Sequence, residues 1–187
     1  MPATPTHKKL SFAEYLSYDD GTDNCYELVH GELILMNPPT GRHALIIFSL
    51  HNALLAEINR LKFPWVVLQS VGIRTSVNRA RIPDLCIVAR EQMQKYLEVS
   101  AVLEFPALLA VEIVSDSSSI IDYRYKRSEY SVAGIPEYWI IDPAKAKVTV
   151  LQLIEGFYEE KEYQGDDKIT SPTFPKLDLT VKQILQV

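Results

Sequence analysis

Cysteine is scarce in this chain of 187 residues, which has two, Cys25 and Cys86, about 60 positions apart. That spacing matches no metal-binding or redox motif, and it predicts two buried thiols in a reducing compartment rather than a disulfide framework. Long hydrophobic runs are missing too. The longest apolar stretches are about eight residues, short of the roughly 20 that span a bilayer, and the opening MPATPTHKKL lacks the apolar core of a signal peptide. Both point to a soluble, cytoplasmic protein with no membrane partner. Basic charge is also short. Nineteen Lys and Arg against 24 Asp and Glu give a net charge of −5, which excludes a global basic field for coating nucleic acid and leaves only local patches. Repeats and low-complexity segments are absent.

What remains is the composition of a folded domain, with 47% hydrophobic and 23% charged residues and enough length for one sizeable core. A Pro- and Thr-rich tail over 1–10 precedes a single domain over 11–187. Ser11 and Glu14 have capping-box spacing at the head of a short helix. A turn over 19–24 leads to a hairpin, Tyr26 to Met36, folded at His30-Gly31. Residues 42–61 carry Leu45, Phe48, Leu54, Leu55, Ile58 and Leu61 at helical spacing, and Pro64 stops that helix. Trp65 to Arg74 reads as a strand, RTSVNRAR as a polar loop, 84–89 as a strand and 91–97 as a modest helix. Residues 107–115 (ALLAVEIVS) form an apolar run, the pattern of a strand covered on both faces. A helix over 118–133, entered through Asp116-Ser117 and closed at Gly134, leads to the strand 137–141. A second hairpin (148–153 and 157–163) and a helical turn over 180–186 complete an α/β (α+β) order with a central mixed sheet flanked by helices.

Three carboxylates sit where a purely structural chain seldom puts them. Asp84 opens an apolar strand after Pro83, Glu112 lies inside the most apolar strand between Val111 and Ile113, and Glu27 lies in the first β run. A carboxylate buried in a strand is costly unless a cation meets it, and two or three together suit a hard divalent cation. Each could instead be an isolated surface carboxylate or pair with an arginine. His43 opens the long helix as a capping residue or a site residue, while His51 reads as structural. Arg74, Arg79 and Arg81 are the one basic run near Asp84, either solvated or meeting phosphates. Tyr138 and Trp139 read as core. Asp122, Lys126 and Tyr130 are four apart and line one helical stripe. Ile121, Tyr125 and Val132 read as the packed stripe.

Pro83-Asp84 followed by Glu112-Ile113-Val114 resembles the PD-(D/E)XK nuclease signature, with Val114 where a lysine usually stands. YELVHGEL, the helix with an early histidine, VEIVS, D-x-x-x-K-x-x-x-Y and G-x-x-x-Y-W-x-x-D-P extend the likeness, from about Ser11 to the end of the chain, to the Uma2 family of restriction-endonuclease-like proteins. The resemblance implies a restriction-endonuclease-like core with an additional hairpin at each end. It implies metal-dependent phosphodiester hydrolysis on nucleic acid, most naturally double-stranded DNA, by a homodimer. Asp84, Glu112 and the carbonyl of Ile113 would hold Mg²⁺ or Mn²⁺, Lys126 would be the catalytic lysine migrated to the helix, and Glu27 would complete the site, with His43, Asp122 and Tyr130 as accessories. The Asp84 and Glu112 carboxylates are expected to face one pocket, Lys126 is expected to reach toward Glu112, and Arg74, Arg79 and Arg81 to border the mouth. Because its helix position reads as surface, replacing Lys126 with alanine is expected to cost under about 1 kcal/mol. The rival reading is a nuclease fold kept as a binding module without turnover.

Overall fold

A computed structural model describes residues 9–115 and 118–186; most of the proposed tail and the helix entry at Asp116-Ser117 lie outside these described residues. Ser11 caps α1 (Phe12–Leu16) through a complete capping box with Glu14. β1 (Tyr26–Val29) and β2 (Glu32–Leu35) form the expected hairpin. Its turn residues His30 and Gly31 both have positive φ, 54° and 83°, as a two-residue hairpin turn requires. A side chain at Gly31 would meet Lys9 and the backbone of Leu10 at about 3 Å.

Thr40 caps α2 (Gly41–Leu61), accepting from the His43 N–H. The segment after it departs from the sequence reading. It breaks at Ser70, which has φ 57°, into β3 (Trp65–Leu68) and β4 (Gly72–Ser76), and these join different sheets. The supposed polar loop folds back as β5 (Arg79–Arg81), antiparallel to β4. β6 (Leu85–Ala89), a 3-10 helix at Arg90–Tyr96, β7 (Val102–Leu103) and β8 (Leu109–Ile113) follow. A π-helical turn, Ile121–Lys126, runs into α3 (Arg127–Val132) and crosses to β9 (Glu137–Asp142). β10 (Lys147–Ile154), β11 (Phe157–Gln164) and α4 (Val181–Leu185) complete the order.

The strands make two mixed sheets, a main one ordered β11-β10-β9-β8-β6-β3 and a second ordered β2-β1-β5-β4-β7. The N-terminal hairpin therefore belongs to the second sheet, and the C-terminal hairpin is one flank of the main sheet. The pair β8–β9 is parallel, so its connection must cross over, and the π turn with α3 does so. Side chains alternate across the main sheet. Leu85, Ile87, Val111, Ile113, Trp139 and Ile141 pack against Ile46, Leu50, Leu54 and Ile58 of α2. On the other face Cys86, Val88, Ala110, Tyr138 and Ile140 meet Tyr130 and, from the second sheet, Ile73 and Leu103. Tyr138 and Trp139 are core residues, as their sequence context indicated.

Two details correct the sequence reading. Among the apolar positions assigned to the packed face of α2, Leu45, Phe48 and Leu55 are exposed, and the buried stripe is Ile46, Leu50, Leu54 and Ile58. This helix is long and apolar enough to cross a membrane by length and composition, and the sheet covers its buried stripe. Cys25 is exposed, so only Cys86 is a buried thiol. Burial pushes the Cys86 thiol up to about 12, and a protonated thiol is a poor nucleophile. A disulfide reagent at neutral pH should therefore titrate one thiol in native protein and two in denaturant; two fast native thiols would contradict this packing.

Candidate active site

The register of β6 against β8, Leu85 with Val111, brings Asp84 opposite Glu112 one step further along. Glu112 points to the face that carries Ala110, toward Tyr130 of α3, while both oxygens of Asp84 are taken by the Ile113 backbone and His43 of α2. Asp84 replaces a ladder bond with its side chain, since Oδ2 accepts the Ile113 N–H at 2.6 Å. Its Oδ1 lies 2.9 Å from Nε2 of His43, which the Thr40 cap holds in the first turn of α2. Val114 N–H donates to Ile141 at 2.8 Å, so residues 112 and 114 bond toward β9 and the Ile113 carbonyl turns toward β6. The residue facing it there is Pro83, which has no N–H to give.

Lys126 comes in over this pair from the π turn. Its Nζ is 2.7 Å from Glu112 Oε2, 3.3 Å from Asp122 Oδ1 and 3.7 Å from Glu27 Oε1. Tyr130 donates its hydroxyl to Glu112 Oε1 at 2.6 Å. Glu27 reaches the site from the second sheet, because alternation along β1 sends Leu28 to one face and Glu27 to the other. Its Oε1 accepts the Ile82 N–H at 3.0 Å and its Oε2 accepts Arg81 Nη1 at 2.8 Å. Arg81 turns its fork on Glu129 of α3 with two further bonds of 2.7 and 2.8 Å. A chain of opposite charges therefore runs from Glu112 through Lys126, Glu27 and Arg81 to Glu129, almost all of it out of water.

Burial raises the carboxyl of Glu112 well above its ordinary value. Lys126 opposes that rise, while Asp122, Asp84 and Glu27 add to it. Burial alone would lower the Lys126 ammonium, yet Glu112, Glu27 and Asp122 hold it charged well above the usual lysine value. The two shifts point to one imbalance, in which several carboxylates share one ammonium. Asp122 is also raised, chiefly by burial, with the Lys126 ammonium opposing the rise. Among the described residues no three His, Cys, Asp or Glu side chains stand ready to hold a metal ion.

Glu27, Asp84, Glu112, Asp122, Lys126 and Tyr130 thus come together, with His43 behind Asp84 and the Ile113 backbone between the two strands. The three arginines do not form the expected mouth. Arg81 is 4% exposed and spent on Glu129 and Glu27. Arg74 pairs with Glu104 at 2.7 Å and lies over the Phe12 ring. Arg79 contacts His30 and, at 3.6 Å, Glu129. The helix stripes are reversed from expectation as well: Tyr125 and Val132 are exposed, whereas Asp122, Lys126 and Tyr130 are buried. Lys126 is accordingly no surface residue at 6% exposure. Sequence reasoning missed Glu129, whose signal was its place one residue before Tyr130 on the same inward side.

A family model described as "Putative restriction endonuclease", Uma2, matches residues 12–182. An uncharacterized protein of Synechocystis sp., sll1609, is 24% identical over 144 residues, which cover 76% of this chain and 80% of that one. The crystal structure of a putative nuclease belonging to DUF820 from Anabaena variabilis is similar at a TM-score of 0.78 with 17% identity, covering 95% of this chain and 98% of that one. At that identity the likeness speaks for the fold.

Proposed function

This chain belongs to the Uma2 family, and from that membership we propose that it is a metal-dependent nuclease hydrolysing phosphodiester bonds in DNA. The observation that carries the reading is the Lys126 ammonium 2.7 Å from Glu112, with Asp84 at the neighbouring strand end. A binding module for a polyanion has no use for buried acids facing phosphates.

The donor chemistry suits a hard divalent cation. Glu112, Asp122 and Glu27 converge within 4 Å of the single Lys126 ammonium, with Arg81 also on Glu27, so carboxylate oxygens are concentrated at this point. The Ile113 carbonyl faces a proline, and each carboxylate oxygen of Asp84 and Glu112 keeps a lone pair beyond its hydrogen bond. Mg²⁺ is commonly held by one or two carboxylates, with water and substrate phosphate completing its shell. Asp84, Glu112 and the Ile113 carbonyl would hold Mg²⁺ or Mn²⁺, which when bound supplies Lewis-acid charge and a more acidic water. Tyr130 fixes the Glu112 carboxylate, and His43 with the Ile113 N–H fixes Asp84. Lys126 offers positive charge where the phosphate gains negative charge in the transition state, and Glu27 steadies Lys126.

The test is cleavage of plasmid DNA with Mg²⁺ or Mn²⁺, alongside thermal unfolding. Saturating ion should raise the melting temperature of the wild type, since a ligand at 100 times its Kd adds about 2.7 kcal/mol. Glu112→Gln should lose that rise and at least about 100-fold in cleavage rate. Intact plasmid together with an unmoved melting temperature would overturn the reading. A nuclease fold without turnover is the second reading, favoured by Lys126 already standing among the acids; a melting shift without cleavage would select it. Cutting both strands of a duplex calls for two related sites, so the proposed assembly is a homodimer. Sedimentation should give twice the 21.2 kDa chain mass; a monomer at micromolar concentration would refute it.

A further inference from the structure

A helix lying on a sheet normally turns charged side chains to water. α2 does not, for it carries no Lys, Arg, Asp or Glu from position 43 to 56. The main sheet covers its core stripe, Ile46, Leu50, Leu54 and Ile58. On the opposite side Leu45, Phe48 and Leu55 are 51%, 64% and 37% exposed. With the exposed Asn52 they stand three and four apart, within about 80° of one another around the helix axis. That is the spacing of a coiled-coil seam, with Leu45 and Asn52 in one row and Phe48 and Leu55 in the other. Ala44 and Ala56, also exposed, flank the seam and leave room for a second backbone.

The chemistry of this face selects its occupant. Without a cation it offers nothing to a polyanion. Membrane-surface helices carry lysine and arginine beside their apolar stripe, and anionic lipid repels a chain of net charge −5. A second copy of the chain meets neither cost. We propose that the outward face of α2 is a homodimer interface, two α2 helices packing antiparallel about a two-fold axis level with Leu50. In that register Leu45 of each copy lies against Leu55 of the other, and Phe48 against Asn52, so all four seam positions are matched at once. A parallel pair would set the exposed Lys62 against its own copy. In the antiparallel pair the cation toward the far end, Arg60, is already held by Glu57 at 2.6 Å. The proposal rests on the homodimer of the nuclease reading above and gives it a surface. α2 also carries His43, 2.9 Å from Asp84, so the pairing helix is the one that steadies a proposed metal ligand.

Sedimentation velocity, with melting curves at several protein concentrations, tests the interface. The wild type should sediment as a dimer, with a melting temperature that rises with protein concentration. Phe48→Asp should weaken the dimer at least about 30-fold, the loss of a central interface anchor. It should also lose the concentration dependence while its circular dichroism stays that of the wild type. Leu45→Glu and Leu55→Lys should each do the same. Combined in one chain they should restore the dimer, because the antiparallel register sets the introduced carboxylate of one copy against the introduced ammonium of the other. A dimer that survives Phe48→Asp would overturn the interface and leave the homodimer standing. Dimer loss with no rescue in the combined variant would overturn the antiparallel pairing. A monomeric wild type that floats with phosphatidylcholine–phosphatidylglycerol vesicles would assign the face to a membrane and overturn the interface. A monomeric wild type that floats with none would end both the interface and the homodimer, and plasmid cleavage by that monomer would leave the nuclease reading in place.

Discussion

Replacing Lys126 with alanine is expected to lower the unfolding free energy by about 3–5 kcal/mol, the usual loss when one partner of a buried ion pair is removed. The surface reading of this position gave under about 1 kcal/mol. The difference lies in what the ammonium faces, since Glu112, Asp122 and Glu27 all lie within 4 Å of it and all are buried. Without Lys126 the acids have to protonate or repel one another. The pH dependence distinguishes this from a packing defect. Burial already raises Glu112 and Asp122 in the folded state, and loss of the ammonium raises them further. A group raised on folding favours the fold below its unfolded value and loses that contribution as pH rises through the folded one. The deficit of Lys126→Ala should therefore be small near pH 4 and grow toward neutrality. Lys126→Met, which keeps most of the volume, should behave alike, and Lys126→Ala/Glu112→Gln should recover part of the loss. Urea unfolding at about pH 5 and about pH 8 measures this; a loss under 1 kcal/mol at both would contradict the buried cluster.

The strands and the acids were legible in the sequence because both are local signals. An apolar run that keeps one glutamate, and a Pro-Asp step before another apolar run, mark Glu112 and Asp84 without knowledge of their neighbours. The crossover between β8 and β9 followed from their apolar text and the helical segment between them. The orientation of that helix was not legible. Apolar residues normally turn inward, yet here a charged cluster supplies the interior, so Asp122, Lys126 and Tyr130 are buried while Tyr125 and Val132 face out. Arg81 was hidden for a related reason. Nothing in RTSVNRAR tells a solvated loop from a hairpin, and only the pairing of β5 with β4 and β1 turns this arginine toward Glu27 and Glu129. The break at Ser70 was invisible too, because the apolar text on either side reads as one strand. Reading the sequence located the acids and, through the family likeness, Lys126 beside Glu112, whereas the place of Arg81 depended on long-range pairing.

Arg81 is where that long-range pairing should cost most outside the acids themselves. Arg81→Met is expected to destabilise the fold by about 3–5 kcal/mol, because it leaves both Glu27 and Glu129 buried without their shared cation. Arg81→Lys should recover only part of the loss, since an ammonium cannot reproduce a planar fork bonded twice to Glu129 and once to Glu27. Burial would raise the Glu129 carboxyl, but Arg81 outweighs it and holds that carboxyl below its ordinary value. A group lowered on folding contributes stability above its unfolded value and loses it as pH falls through the folded one. Wild-type protein should thus lose this contribution on acidification below about pH 4.5, and the gap between wild type and Arg81→Met should narrow over that range. The neighbouring Arg74→Ala is the control: its pair with Glu104 is half-exposed and worth at most about 1 kcal/mol. The second sheet meets the π turn and α3 through this arginine, so Arg81→Met should also loosen Glu27 from Lys126 and release the backbone amide of Ile82 to hydrogen exchange. A variant with wild-type stability and a protected Ile82 amide would mean that Arg81 does not join the second sheet to α3.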